Sequence, residues 1–215
     1  MQRSRRQSRG RILAVAIEHF ASRGYHGSSV REITQHARVN LAAVNYHFRS
    51  KESLYCEALS SVLRPLNKTR LQRLDRAAEL AGDHPVPLEL VIEIFAAPLF
   101  EICGSSASLD ACAAKLIGGS MSEPVPFIQE FLLLEQQAFT TRFAQAIRLH
   151  ARRISASEFM WRLSFVVGAL HYTLTNMYRM QNMTHGLCKN NDVGQTTSHF
   201  VQFAVNTICA PATVA

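Results

Sequence analysis

The side chains able to do chemistry are unevenly spread along this sequence. Residues 28–52, SSVREITQHARVNLAAVNYHFRSKE, gather hydroxyls, amides, a tyrosine, histidines and cations around a short apolar pattern. Such a set suits hydrogen bonding and charge pairing with a large ligand rather than the making of bonds. Val30, Ile33 and Ala37 fall three and four apart, and Val39, Val44 and Phe48 continue the apolar set across a break. That break, Arg38-Val39-Asn40, admits only a sharp corner between two helices. Two helices at a steep angle, the second short and carrying small and polar groups outward, make a helix-turn-helix, the element that reads DNA in the major groove.

Bond-making chemistry finds little support. The sequence has no GxSxG, P-loop, GxGxxG or HExxH pattern. Gly118-Gly119-Ser120-Met121-Ser122 resembles a nucleophile loop only faintly, being one residue out of pattern and without strands around it. Nine histidines are scattered, none paired with a cysteine or carboxylate at metal-ligand spacing, so neither a metal nor a cofactor is expected. Cys56, Cys103, Cys112, Cys188 and Cys209 are odd in number and form no CxxC pair. They read as reduced, partly buried small residues, with Cys103 and Cys112 the pair to consider for redox sensing. The chain is not expected to be an enzyme.

Charge points the same way once it is located. Of the +7 net charge, residues 1–64 carry the whole excess, with 11 Lys and Arg against 4 Asp and Glu; residues 65–215 hold 12 of each. A basic head on a neutral body is the electrostatic footprint of a nucleic-acid binder. At 47% hydrophobic and 18% charged residues, the composition is that of an ordinary globular protein. The longest apolar run, around residues 163–170, is far short of a membrane span, and the arginine-rich start is not followed by an apolar signal core. The expectation is a cytoplasmic protein without membrane association.

Periodicity supplies the elements that must hold these groups. Residues 1–11 contain five arginines and read as a disordered or partly helical basic arm, either solubilising or touching DNA phosphates or the minor groove. Ile12, Leu13, Ala16, Ile17 and Phe20 form one face of a helix stopped by Gly24. Ser28 or Ser29 caps the next helix, and Ser50 caps a long one whose apolar face runs from Leu54 to Leu66. Pro65 predicts a kink, or a boundary near residue 64. Further helices are expected over about 87–103, 109–117, 127–150, 155–183 and 193–209, with a break at Gly118-Gly119-Ser120 and no strands. The fold class is all-α, about nine helices: an arm (1–11), a helix-turn-helix domain (12–55) and a helical body (56–210).

The run from Gly24-Tyr25 through SSVREI to VNLAAVNYHFRSKESLY resembles the amino-terminal domain of the tetracycline-repressor (TetR) family over residues 10–60, in a variant similar to fatty-acid-responsive repressors. The resemblance implies that Ser28, Ser29 and Arg31 meet phosphates at a helix start, and that Asn40, Leu41, Ala42, Ala43, Asn45 and Tyr46 belong to the recognition helix. Tyr46, His47 and Lys51 match phosphate-holding positions, though His47 also suits packing beneath that helix. Leu41, Ala42 and Ala43 have no hydrogen-bonding side chain, so their readout is apolar contact with thymine methyls, while Asn45 suits a base edge or a phosphate. Arg38 stands where the family usually has glycine, so a non-glycine residue with positive φ is expected in the turn.

For the body, the family implies a pocket for a small hydrophobic effector, an acyl compound fitting the subgroup, with Phe95, Phe100, Phe131, Arg142 and Phe165 as candidate lining. Arg148, Arg162 and His171 are alternative polar anchors, although Arg162 lies four residues after Glu158 and suits a surface pair. Phe159, Leu163, Val167, Leu170, Phe200 and Phe203 are expected in a four-helix homodimer interface. These expectations describe a repressor that binds a palindromic double-stranded operator and is released by its effector. The alternative is an activator, or a regulator answering a redox or protein signal.

Overall fold

A computed structural model describes residues 2–105, 108–189 and 192–212, with side chains described for all of these except residues 2–6, 108 and 178. Among the described residues the chain is all-α, with nine helices and no strand: α1 (Gln2–Arg23), α2 (Val30–His36), α3 (Leu41–Phe48), α4 (Lys51–Ala81), α5 (Leu88–Gly104), α6 (Ser108–Ser122), α7 (Pro126–Arg148), α8 (Ala156–Met183) and α9 (Val193–Cys209). The basic amino-terminal segment continues into α1 as one helix. Two other boundaries differ from expectation. Pro65 lies inside α4, which runs through it without ending. The flanking turns bury Leu63, Asn67, Arg70, Leu74 and Ala77 at alternating spacings of four and three, and that packing offsets the lost backbone donor. Gly118-Gly119 likewise does not break the chain, since α6 continues to Ser122 and Ser120 is buried with its hydroxyl donating to the Ile117 carbonyl (2.8 Å). The serine of the faint nucleophile pattern is therefore part of a helix, bonded to its own backbone.

The helices form two compact units, Met1–Pro65 with Ser105–Glu135, and Leu66–Gly104 with Gln136–Ala215. In the first, α1 packs on α2, α3 and α6. Ile12, Ala16 and Phe20 of α1, Ile33 of α2, Val44 and Phe48 of α3, and Leu54, Tyr55 and Leu59 of α4 are all buried. Full burial of side chains this size contributes roughly 1.5–3 kcal/mol each. Gly24 ends α1 at φ +68°, as its position predicts, and turns the chain so that Tyr25 lies against Tyr55 (5.4 Å between ring centroids) and Phe127 (5.0 Å).

In the second unit α5 lies along α9, and α8 packs against both. Phe100 and Phe200 meet edge-on across α5 and α9 (5.7 Å). Arg162 makes the expected pair with Glu158, but in a buried position rather than on the surface. It bonds Glu158 (2.6 Å) and donates through Nη1 to the carbonyls of Thr207 (3.1 Å), Ile208 (3.2 Å) and Ala210 (2.6 Å) and through Nη2 to Pro211 (2.5 Å). Those carbonyls end α9 and have no partner within their own helix, so the guanidinium both satisfies them and offsets the negative end of the helix dipole. Arg162→Ala is expected to cost about 3 kcal/mol, because it strands buried acceptors and a partner carboxylate. Arg162→Lys should restore only part, since an ammonium cannot span the same fork of acceptors. Urea unfolding of the three proteins checks this; an unchanged midpoint for the alanine variant would contradict it.

Candidate nucleic-acid interface

The corner between α2 and α3 is built from local hydrogen bonds. Ser29 caps α2, its Oγ accepting from the Glu32 amide (3.2 Å) and donating to the Glu32 carboxylate (2.9 Å). Arg23 adds a bond to Glu32 (3.0 Å). The Ser29 hydroxyl, then Arg23, holds the Glu32 carboxyl below its ordinary range. α2 ends at Ala37, whose amide bonds Ile33, and the chain turns through Arg38 at φ 52°. A non-glycine residue does hold positive φ here, at a cost of about 1 kcal/mol. Asn40 then caps α3, accepting from the Ala43 amide (2.9 Å). Ser50 caps α4 through the Ser53 amide (3.1 Å).

This corner presents one face of α3. Leu41, Ala42, Asn45 and Tyr46 are exposed, Leu41 at 52% and Tyr46 at 66%, while Ala43 is half-buried and Val44 and Phe48 point into the core. Arg31 is exposed on α2. His47 is half-buried and lies 3.2 Å from the Ser8 hydroxyl of α1, with its ring against Tyr46 (5.1 Å). Lys51 does not extend freely: its Nζ sits 4.3 Å from the centre of the Tyr25 ring. The Tyr25 hydroxyl in turn donates to Glu52 (2.8 Å). Burial, and then this bond, pushes the Tyr25 phenol up to about 12, so it stays a donor. Tyr25 is thus a packing residue that fixes the first turn of α4.

Ser28 departs from its expected role. It is buried and its hydroxyl donates to the Gly24 carbonyl (2.8 Å), closing the turn after α1, so it offers nothing to a phosphate. Ser29 keeps its place at the α2 start but is engaged with Glu32. Two cations not counted among the DNA-binding candidates flank α3 on the surface: Arg38, in the turn before it, and Arg49, directly after it and also at positive φ (65°). Their signal is positional, since they stand on either side of the recognition helix. Arg9 bonds Glu57 (2.7 Å) and stacks on Phe48 (5.3 Å), which anchors the start of α1 to α3 and α4.

The residues expected around an effector fall in both units. Phe131 belongs to the first unit and Phe95, Phe100, Arg142 and Phe165 to the second. Phe100 is core packing against α9. Arg142 is exposed and paired with Asp75, and Arg148 bonds the carbonyls of Ala151 (2.5 Å) and Ile154 (3.0 Å) beyond α7. Phe165 is 58% exposed. Phe95 sits in an aromatic group, stacked on Phe139 (5.7 Å) beside Phe143 (5.4 Å). The expected dimer set is divided too: Phe159, Leu170 and Phe200 are buried within the chain, Leu163 and Val167 are half-buried, and Phe203 is exposed. The outward apolar face of α8 is instead Trp161, Phe165 and Tyr172 with Gly168 between them. Burial pushes the Cys103 thiol up to about 11, which leaves little thiolate for a redox signal.

Two matches in sequence decide the family. Residues 12–58 match "Bacterial regulatory proteins, tetR family", and residues 93–206 match "Tetracyclin repressor-like, C-terminal domain". The chain belongs to the TetR family. Its members are DNA-binding transcriptional regulators rather than enzymes. The HTH-type transcriptional regulator RutR of Escherichia coli O157:H7 is 32% identical over 125 residues, half of this chain and 59% of that protein. TetR-type architecture also appears in solved structures. One is a TetR-family transcriptional regulator from Rhodococcus sp. (TM-score 0.61, 16% identity, 96% of this chain and 100% of that one). Another is the fatty acid degradation regulator FadR from Bacillus halodurans (TM-score 0.63, 13% identity, 92% and 94%).

A histidine pair within the helix-turn-helix unit predicts a pH response. His19 of α1 is buried, and its Nε2 lies 2.7 Å from Nδ1 of His36 on α2. Burial first, then His36 and Arg23, lowers the His19 pKa from 6.5, against smaller opposing effects of Glu32 and Glu18. The unfolded chain therefore takes up a proton near pH 6.5 that the folded chain refuses until lower pH, and stability falls as the pH drops through that window. The midpoint of thermal unfolding should be lower at about pH 5.5 than at about pH 7.5, and less so in His19→Leu. Equal pH dependence in both proteins would contradict the assignment.

Proposed function

We propose that the chain is a ligand-responsive repressor that binds a palindromic DNA operator as a homodimer and is released by a small hydrophobic effector. The observation that carries this reading is the surface of the helix-turn-helix. It combines a nearly apolar exposed face on α3 (Leu41, Ala42, Tyr46) with one amide, Asn45, and cations on both sides at Arg38, Arg49 and Lys51. Cations at the flanks neutralise phosphates and set register without reading sequence. Leu41 and Ala42 suit thymine methyls, and Asn45 a base edge. With so few polar readers, sequence-dependent shape and deformability supply much of the selectivity.

Arg31, Tyr46 and His47 complete the phosphate set in this reading, and Ser29 joins it where its hydroxyl leaves Glu32. Asn40 and Ala43 serve mainly to cap and seat α3, since the Asn40 oxygen is held by the Ala43 amide. The exposed face Trp161, Phe165 and Tyr172 of α8, with Phe203 of α9, is the surface a second copy covers. Large aromatic side chains on one helix face are costly to leave in water, and a two-fold axis through that face pairs like with like. Repression by occupying the operator requires a cytoplasmic location. An acyl effector is consistent with the name of the FadR-like neighbour, and fatty acids are the first class to test. The effector acts by binding one body conformation better than another, and α4, which supplies Lys51 to the head and continues into the body, is the element that carries the difference.

Lys51 offers a direct test. Lys51→Ala should weaken binding to every DNA sequence alike and reduce the magnitude of the log K against log salt slope by about 1. Fluorescence anisotropy over a salt series measures it. An unchanged slope would remove Lys51 from the phosphate contacts.

A further inference from the structure

The most costly side chain in the second unit is Arg70. It lies on the buried face of α4, at the core spacing Leu63, Asn67, Arg70, Leu74, Ala77, and is 3% exposed. Its Nη1 donates to the Asn67 Oδ1 (3.2 Å). Its Nε and Nη2 are buried without a hydrogen-bond partner. Among the described residues no carboxylate pairs with it. Instead the guanidinium carbon sits 5.1 Å from the centre of the Phe139 ring and 5.5 Å from that of Phe95. Burial pushes the Arg70 pKa down to about 9, so the group is still a cation at neutral pH.

Cation–π contact recovers only a fraction of what is lost when an arginine is taken from water. A buried methionine or leucine would pack the same space at lower cost. The position therefore holds a feature that folding alone does not require. The chemistry of the open edge is specific. Nε and Nη2 are the parallel pair of donors that fits the two oxygens of one carboxylate. The same chain uses that edge at Arg64, whose Nε and Nη2 hold the two oxygens of Glu135 at 2.6 and 2.9 Å. At Arg70 no protein acceptor meets that edge although both nitrogens are buried, and the aromatic neighbours of the guanidinium, Phe95 and Phe139 with Phe143 beside them, are apolar. Phe95 is half-buried where Phe139 and Phe143 are buried, which makes it the ring that gives way to an entering molecule.

We propose that Arg70 is the anchor for the carboxylate of an effector whose apolar body packs against Phe95 and Phe139. This rests on the ligand-responsive reading above and adds to it the charge of the ligand and the residue that binds it. Arg142, Arg148 and Arg162 are all committed to other groups, so the anionic end of a ligand has its complement at Arg70. The ion must displace the Phe95 ring to reach the donor edge. Binding then selects a body conformation different from the closed one, which is the differential affinity a switch needs. A neutral molecule of the same shape leaves the buried donors unmatched and binds less well.

The test is isothermal titration of the full-length protein with matched pairs: octanoate against octanamide, and phenylacetate against phenylacetamide. At least one acid should bind saturably, at least about tenfold more tightly than its amide, as expected for two charge-assisted hydrogen bonds in a dry site. Arg70→Gln should weaken that acid by about tenfold or more, Arg70→Lys should fall between, and Arg73→Gln, which removes an exposed charge from the same helix, should match the wild type. Equal binding of acid and amide, no binding of either acid up to about millimolar concentration, or an unaffected Arg70→Gln variant would overturn the assignment. The acid and amide comparison needs no variant, so it stands even where Arg70→Gln fails to fold. Operator binding is read separately. Acids that bind through Arg70 without altering the DNA complex would sink the effector-release reading and leave the site. Neutral compounds that release DNA while acids do not bind would do the reverse.

Discussion

The arrangement depends on α4 remaining one helix through Pro65. Proline removes a backbone donor and crowds the preceding turn, a penalty of roughly 3 kcal/mol in a helix interior. The helix survives because both of its halves are packed: Leu54, Tyr55, Leu59 and Leu63 on one side of the proline, Asn67, Arg70, Leu74 and Ala77 on the other. Its first turn is tied down independently, with Ser50 capping, Glu52 bonded to Tyr25, and Lys51 over the Tyr25 ring. One helix therefore supplies a cation at the end of the helix-turn-helix and a buried guanidinium in the helical body. A chain broken at residue 64 would leave those two features without a common element.

Polar groups in this protein fall into those that finish a structure and those left over. Arg162 closes the end of α9, Arg148 closes the turn after α7, Ser28 closes the turn after α1, and Asn40 closes the start of α3. Three of them act within six residues along the chain, Arg162 reaches across from α8, and all satisfy backbone groups at or near helix ends. The remainder is what the functional reading rests on: Asn45 and the exposed Leu41 and Tyr46 face of α3, the flanking Arg38 and Arg49, and the open edge of Arg70. The apolar remainder is the Trp161, Phe165 and Tyr172 face of α8, the complement expected of a second copy.

Local signals in the sequence were strong where one residue type solves one backbone problem. Ser29, one of the two alternatives, and Ser50 cap as the sequence indicates, Gly24 ends α1 with positive φ, and Asn40 and Ser155 are further caps that the structure adds. The break between two apolar half-patterns marked the turn, and the resemblance to a family with glycine there implied the positive φ of Arg38. Periodicity says which residues share a face but not what that face meets: of the candidate lining residues, Phe131 falls in the first unit and Phe95, Phe100, Arg142 and Phe165 in the second. In α8 two apolar stripes run along the helix; Phe159 and Leu170 belong to the inner one, while Trp161, Phe165 and Tyr172 face outward. Ser28 and Ser29 were interchangeable as caps until packing buried one of them. Arg70 carried a readable signal, a charge at core spacing, that an eye searching for apolar periodicity passes over.

The central claim is that the α3 face, presented twice by a symmetric pair of chains, selects DNA. Selection of binding sites from a random duplex library with the purified full-length protein tests it most directly. The account predicts enrichment of an inverted repeat whose half-site centres lie about one helical turn apart, with base identities constrained at thymine-methyl contacts and at deformable steps. Recovery of no enriched sequence, or of a single unrepeated site, would contradict it.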